Sequence, residues 1–279
     1  MENPNVVIAG PVCIDHNETE GRAYTGWGSP AMYMATYLRR AHDLEPVVLS
    51  AYGEDFLPHQ DGVQLLPEQP QAIDTLQFRN IITSSHRSWY AENIDSADPP
   101  ELDEASIAAL GIADIFILGT ILPNYSPDYV KQLVSALPDH CLKAIIVQGY
   151  LRHVDDDSLV SPRIFEEAEA VLPLFDVAII STDDHPEASK MAAEWCTKSL
   201  IGATVLTQGE DGATVFEVGE EPNQVSTERV SPDEIVDSVG CGDVFVAELA
   251  YAAFINGGHI VKATGDANRA AGNKLLART

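Results

Sequence analysis

The sequence predicts one three-layer α/β/α domain over residues 1–279: a mostly parallel central sheet between helices, with a small β-strand lid at its side. Three observations carry this expectation. Wholly apolar runs of strand length recur along the chain, among them "DIFILG", "KAIIVQG", "DVAIIS" and "GATVLT". Such runs suit strands covered on both faces. Helical stretches lie between them, and alternating strand and helix builds a parallel sheet with right-handed crossovers. Two segments break the alternation: "NETEGRAYTGWG" is polar with glycines and aromatics, and "TLQFRNIITSSHRSWYAEN" reads as two strands joined by a polar turn. Neither fits between the layers, so both are read as a small strand-built cap beside the core, about residues 15–28 and 75–93.

In chain order, "VVIAGPVCI" is an apolar, β-branched first strand. Residues 29–42 form a helix, with Ser29 as N-cap and Pro30 in its first turn. "PVVLSAYG" is the next strand. Helices are expected over residues 127–137 and 163–172, each between apolar strands. "VDDDS" is a short charged run, read as solvated loop. "VFVAELAYAAFING" and "HIVKATGDANRAAGNKLLA" are the closing helices. In an open α/β sheet, ligands bind beyond the carboxyl ends of the strands. Gln148, Ser181 with Thr182, Asp183 and Asp184, and Thr207 with "QGEDG" all follow strand ends, so polar groups gather on one rim.

The charge balance limits function. Sixteen Lys and Arg stand against 43 Asp and Glu, a net −27. Such a surface repels nucleic-acid backbones and anionic membranes. It suits a high-salt cytoplasm, and equally an ordinary acidic soluble protein. No apolar run approaches the roughly 20 residues a membrane span needs. The first residues, "MENPNVVIAG", lack a signal-peptide pattern, so a cytoplasmic location is expected. The four cysteines, Cys13, Cys141, Cys196 and Cys241, form no C-x-x-C pair and no zinc spacing, which reads as free thiols in a reducing compartment.

The chemistry concentrates in "DSVGCGDVF". Glycines before a helix let the chain bend so that several N–H groups aim at one point. The helix N-terminus adds partial positive charge there. That is an anion site, suited to a transferring phosphoryl group. Asp243, in the first turn, is placed to take a proton from an attacking hydroxyl. The residues alone leave a second reading open, a Gly-rich loop entering a core helix with Asp243 favouring the helix dipole. Two other motifs are excluded. No G-x-x-x-x-G-K-[ST] occurs, and the position is wrong for a dinucleotide fingerprint.

"DSVGCGDVF" resembles the signature of the ribokinase-like, or PfkB, carbohydrate kinases, with Cys241 where Ala is usual. "VLTQGEDGATVF" is similar to that family's nucleotide-binding segment, "VVIAGPVCID" to its first strand ending at a substrate-binding acid, and "YGEDF" to its Val-Gly-x-Asp-x-Phe segment. The motifs occur in family order over nearly the whole chain. The resemblance implies a ribokinase-like fold and ATP-dependent phosphoryl transfer to a hydroxyl of a sugar or cyclitol. It implies Asp243 as catalytic base and the amides of Gly240, Cys241 and Gly242 as the anion hole. Thr207, Gly209 and Gly212 would line the nucleotide site, with Asn268 and Gly272 beside the adenine. Asp15, Trp27, Gly28, Gln148 and Arg152 would meet the substrate. Mg²⁺ would be placed through water by Asp184. In the family the lid is often also a homodimer contact.

The sequence departs from the pattern in three places. Trp27 stands for the first glycine of a Gly-Gly pair. Met32 or a neighbour replaces an Asn that reads a ribose hydroxyl. "STDD" replaces Asn-x-x-Glu, with Ser181 for Asn and Asp184 for Glu. These differences move the expectation from ribose, fructose and adenosine towards the compact, myo-inositol-kinase-like branch. Trp27 is favoured over Trp89 for ligand contact. Two other readings stand beside this one: a nucleoside kinase of the same fold, and a catalytically silent binding or regulatory protein.

Overall fold

The computed structural model describes residues 3–19, 22–82 and 87–277. Each apolar run becomes a strand of a nine-stranded sheet. Its members in chain order are β1 (Val6–Ala9), then, past the small sheet described below, β4 (Val47–Leu49), β5 (Gln64–Leu66), β8 (Ile115–Gly119), β9 (Leu142–Ile146), β12 (Val177–Ser181), β13 (Ala203–Thr207), β14 (Ala213–Glu217) and β15 (Asn223–Val225). The spatial order is β15-β14-β13-β12-β9-β8-β1-β4-β5. All pairings from β5 across to β13 are parallel. Only the edge pairings β13–β14 and β14–β15 are antiparallel.

The apolar runs are needed because both faces of this sheet are covered. On one face α1 (Pro30–His42), α6 (Cys241–Ile255) and α7 (Ile260–Leu275) pack on Val6, Ile8, Ile117, Ile146 and Val205. On the other α2 (Glu104–Leu110), α3 (Pro127–Ser135), α4 (Ala168–Val171) and α5 (Ala188–Thr197) cover Val7, Phe116, Ile145, Ile180 and Leu206. Successive strand residues point to opposite faces, so Val6 and Val7 serve different layers.

The second sheet has the order β3-β2-β6-β7, with β2 (Cys13–Thr19), β3 (Arg22–Gly28), β6 (Leu76–Ile82) and β7 (Arg87–Glu92). β3, β6 and β7 fall within the two segments that broke the alternation, but β2 begins at Cys13, so the single first strand expected over "VVIAGPVCI" is split: Val6–Ala9 stays in the large sheet and the chain from Cys13 enters the small one. The turn expected between β6 and β7 falls at residues 83–86, outside the described residues. Cys13, Leu76, Phe78 and Ala91 form a small core of their own with Ile121, Leu122 and Val160.

Two further local expectations need correction. The helix expected over 163–172 shrinks to α4. The chain before it turns so that the Phe165 ring stacks on Tyr150 at 4.4 Å and meets Trp195 edge-on at 6.1 Å. Core packing of that ring overrides helix propensity. Residues 155–157 of "VDDDS" are an exposed turn, as expected, and they join an antiparallel ribbon, β10 (Arg152–Val154) with β11 (Val160–Pro162). The ribbon meets the small sheet through a bridge between Tyr90 and Leu159. Ser29 occupies the N-cap position of α1 but its side chain makes no capping bond. Its φ of 91° and ψ of 163° lie in a region that is essentially glycine's.

Candidate active site

The parallel strands deliver their polar followers to one rim. Gln148 comes after β9, Ser181 ends β12 with Asp183 and Asp184 after it, Thr207 ends β13 with Gly209 after it, and all of these line one cavity of about 650 Å³. The N-terminus of α6 (Gly240, Cys241, Gly242, Asp243) forms another part of its wall, α7 adds Asn268, Ala271, Gly272 and Leu275, and the small sheet adds Asp15, Asn17, Phe78, Asn80 and Trp89. Gly212 and Arg152 also lie in the wall. The volume is typical of small-molecule sites.

The entry to α6 is built by its flanking residues. Gly240 has φ +80°, and a Cβ there would lie 2.8 Å from the Tyr33 ring. Gly28 meets the same ring, its hypothetical Cβ 2.5 Å away. Tyr33 is thus wedged between the glycine before α1 and the glycine before α6. Asp237 holds the loop from below. Its Oδ1 accepts from the Val239 amide at 3.0 Å, and its Oδ2 pairs with Lys274 Nζ of α7 at 3.3 Å. Of the three amides implied for an anion hole, that of Cys241 donates to the Ser238 carbonyl at 3.3 Å. Among the described residues the amides of Gly240, Gly242 and Asp243 have no protein acceptor. The first turn of α6 thus uses the Cys241 amide to close itself and leaves those of Gly240, Gly242 and Asp243 unpaired.

The cavity wall carries six carboxylates, Asp15, Asp183, Asp184, Glu210, Glu228 and Asp243, and one guanidinium, that of Arg152. Burial, then the neighbouring charge of Asp15, pushes the Asp243 carboxyl up to about 7, with Arg152 opposing. Burial raises Asp15 to about 6 despite the Cys13 thiol it accepts from and the nearby Arg152. Arg152 is held below its ordinary value by burial, while Asp184, Asp243, Cys13 and Asp15 pull it back up. One of its Nη atoms donates to the Ile121 carbonyl at 3.3 Å. Among the described residues it makes no ion pair, so its charge faces the cavity. Asp184 is fixed by the Ser181 amide at 2.8 Å and by Gln148 Nε2 at 3.0 Å. The Cys241 thiol is raised to about 11, chiefly by burial, and is no reactive thiolate.

Two expected substrate contacts are displaced. Trp27 is outside the cavity wall, 42% exposed, with its ring stacked on His59 at 3.3 Å. Trp89 is in the wall instead. Strand register gives the reason. Trp27 pairs with Ile14, whereas Asn17 pairs with Asn80 and Asn80 with Trp89. Residues in one such row share a face, and the rows alternate. Gly28 is likewise absent from the wall, since it serves as the seat of the Tyr33 ring. Met32 is buried in the core, and Pro30 and Tyr33 are the α1 residues that reach the cavity. Asn17, Tyr33 and Asn80 are among the wall residues that the sequence did not single out.

The family model described as pfkB family carbohydrate kinase matches residues 88–277. No curated protein matches. Among solved structures, a pyrophosphate-dependent kinase in the ribokinase family superposes with a TM-score of 0.77 at 16% identity, covering 97% of this chain and 95% of that one. Ribokinase of Arabidopsis thaliana, complexed with ribose and ATP, gives 0.70 at 16% identity, with 99% and 94% covered. Adenosine kinase of Anopheles gambiae gives 0.73 at 14% identity, with 99% and 96% covered. These structures show a shared ribokinase fold, and with the family model matching more than half of its length, the chain belongs to the pfkB family of carbohydrate kinases.

Proposed function

We propose that this kinase transfers the γ-phosphoryl group of ATP to a hydroxyl of a neutral sugar or cyclitol. The observation that carries the reading is the entry to α6. An ionisable acid raised to about 7 stands beside unpaired backbone amides at the base of a cavity where strand ends converge. Asp243 takes the proton of the acceptor hydroxyl as the oxygen attacks phosphorus. The amides of Gly242 and Asp243, the α6 dipole and Arg152 face the charge that spreads over the phosphoryl oxygens. Phosphoryl transfer needs mainly this positioning and charge stabilisation.

The donor reading rests on the far end of the cavity. Val230, Ile235, Ala271, Gly272 and Leu275 give it an apolar wall, which a purine needs and bare pyrophosphate does not. Mg²⁺ fits the residues present. Among the described residues no group of three acidic, His or Cys side chains could cage a metal, and Mg²⁺ bound by waters and substrate phosphates needs no such cage. Both Asp184 oxygens keep a lone pair after their hydrogen bonds and would hold one of those waters. The ion supplies neutralisation of the donor's phosphate charge.

A product-release screen tests the reading, with ATP and pyrophosphate as donors and sugars, cyclitols and nucleosides as acceptors. Transfer from ATP to a polyol is the expected result. Transfer from pyrophosphate alone overturns the donor assignment, and preference for a nucleoside overturns the acceptor. No transfer to any acceptor, with no thermal shift by ATP, favours a silent binding protein.

A further inference from the structure

Asn17 is a buried amide with a free end. The residue is 2% exposed. Its Oδ1 accepts from Asn80 Nδ2 at 3.0 Å, while its Nδ2 has no hydrogen-bond partner. An unsatisfied buried donor is costly and asks for an explanation. Asn80 sets which end is free: with its own N–H turned to Asn17, the carbonyl oxygen of Asn17 faces β6 and the N–H₂ faces away.

The free end borders a gap created by a missing side chain. A Cβ on Gly26 would lie 3.6 Å from Asn17 Nδ2, 3.6 Å from the Tyr33 hydroxyl and 3.7 Å from Asp15 Cβ. Three polar side chains from β2 and α1 thus surround one point over β3, and all three line the cavity that holds Asp243. Burial and the neighbouring carboxylates raise the Tyr33 hydroxyl far above its ordinary range, so it remains a donor. The niche therefore offers two donors, Asn17 N–H and Tyr33 O–H, and one acceptor, the Asp15 carboxylate. An alcohol matches that set, since its oxygen accepts twice and its proton donates once. An anionic group would meet Asp15.

We propose that Asn17 and Tyr33, set around the gap over Gly26, read one non-reacting hydroxyl of a neutral polyol acceptor and so determine acceptor specificity. This rests on the kinase reading above. A site built to bond a hydroxyl rejects the analogue that lacks it, because the buried groups are then left unpaired.

Calorimetric titration of the intact chain, with ATP present, tests the niche using myo-inositol, ribose, fructose and glucose, each beside its monodeoxy analogues. Wild type should bind one polyol and bind one of its deoxy analogues about 10-fold or more weakly. Asn17→Leu should weaken binding of the parent polyol by about the same factor and erase the discrimination, without lowering the melting temperature. Tyr33→Phe, which keeps the wedge between Gly28 and Gly240, should weaken it about 3-fold or more. Unchanged polyol affinity and discrimination in both variants overturns the niche, as does the absence of binding by any of the four. Phosphoryl transfer measured in the same samples separates the two readings. Transfer by a wild type whose affinity is untouched by both variants sinks the niche alone. Binding that follows the variants without transfer sinks the kinase reading alone.

Discussion

Asp243 meets two opposed demands. Burial makes its carboxylate a stronger base, and the same burial makes the charged form costly. For turnover, the ionised fraction governs proton abstraction. The acid limb of kcat/KM should therefore fall near pH 7; a limb near the ordinary carboxylate value would remove burial as its control. For stability the sign follows from linkage. The folded chain binds this proton more tightly than the unfolded chain, so the stabilisation is present at low pH and is lost as pH rises towards about 7. Asp243→Asn should cut kcat by roughly 10²–10⁴-fold, the usual worth of a general base, with ATP binding retained. In urea titrations it should be more stable than wild type at about pH 8, the difference narrowing towards about pH 5. Ser29 poses a similar conflict. It carries φ +91° and a buried hydroxyl with no partner. Ser29→Gly should stabilise the fold by about 1–3 kcal/mol, measured by the same titrations; a destabilised variant would contradict the strain.

Positioning is the work of the elements. The loop before α6 is tied to α7 by the Asp237–Lys274 pair and to α1 by the Tyr33 wedge. The pair is half-buried at best, so its direct worth is small, about 1 kcal/mol or less. Its value lies in where it holds the loop. Lys274→Met should lower kcat by roughly 10-fold, since small misplacements of reacting groups are expensive, while moving the melting temperature little. Steady-state kinetics beside thermal unfolding reads both. Equal loss of kcat and stability would make the pair merely structural.

At the scale of the molecule, net charge is the dominant fact. With −27 charges, the compact state repels itself, and salt screens such repulsion over a Debye length of about 10 Å at 0.1 M. Melting temperature should rise steadily with KCl; insensitivity to salt would show that the acidic surface carries no penalty. Arg152 is the local exception, a cation facing the cavity against this field. Among the described residues, no helix is long and apolar enough to cross a membrane.

Much of this was legible in the residues. Runs such as "DVAIIS" had to be covered on both faces because they contain no polar side to show to water, and that requirement alone places helices on both sides of the sheet. "GCGD" before an apolar run specifies a bent helix entry, because glycine permits the positive φ found at Gly240. The face of each strand of the small sheet was not legible. One residue of register turns Trp27 outwards and Trp89 inwards, and only the pairing of β2 with β3 and β6 sets that parity. Nor could the sequence show that Tyr33 fills the space left by Gly28 and Gly240, or that Asn17 lacks a partner. Those are contacts between segments distant along the chain, and their geometry exists only once the sheets have packed.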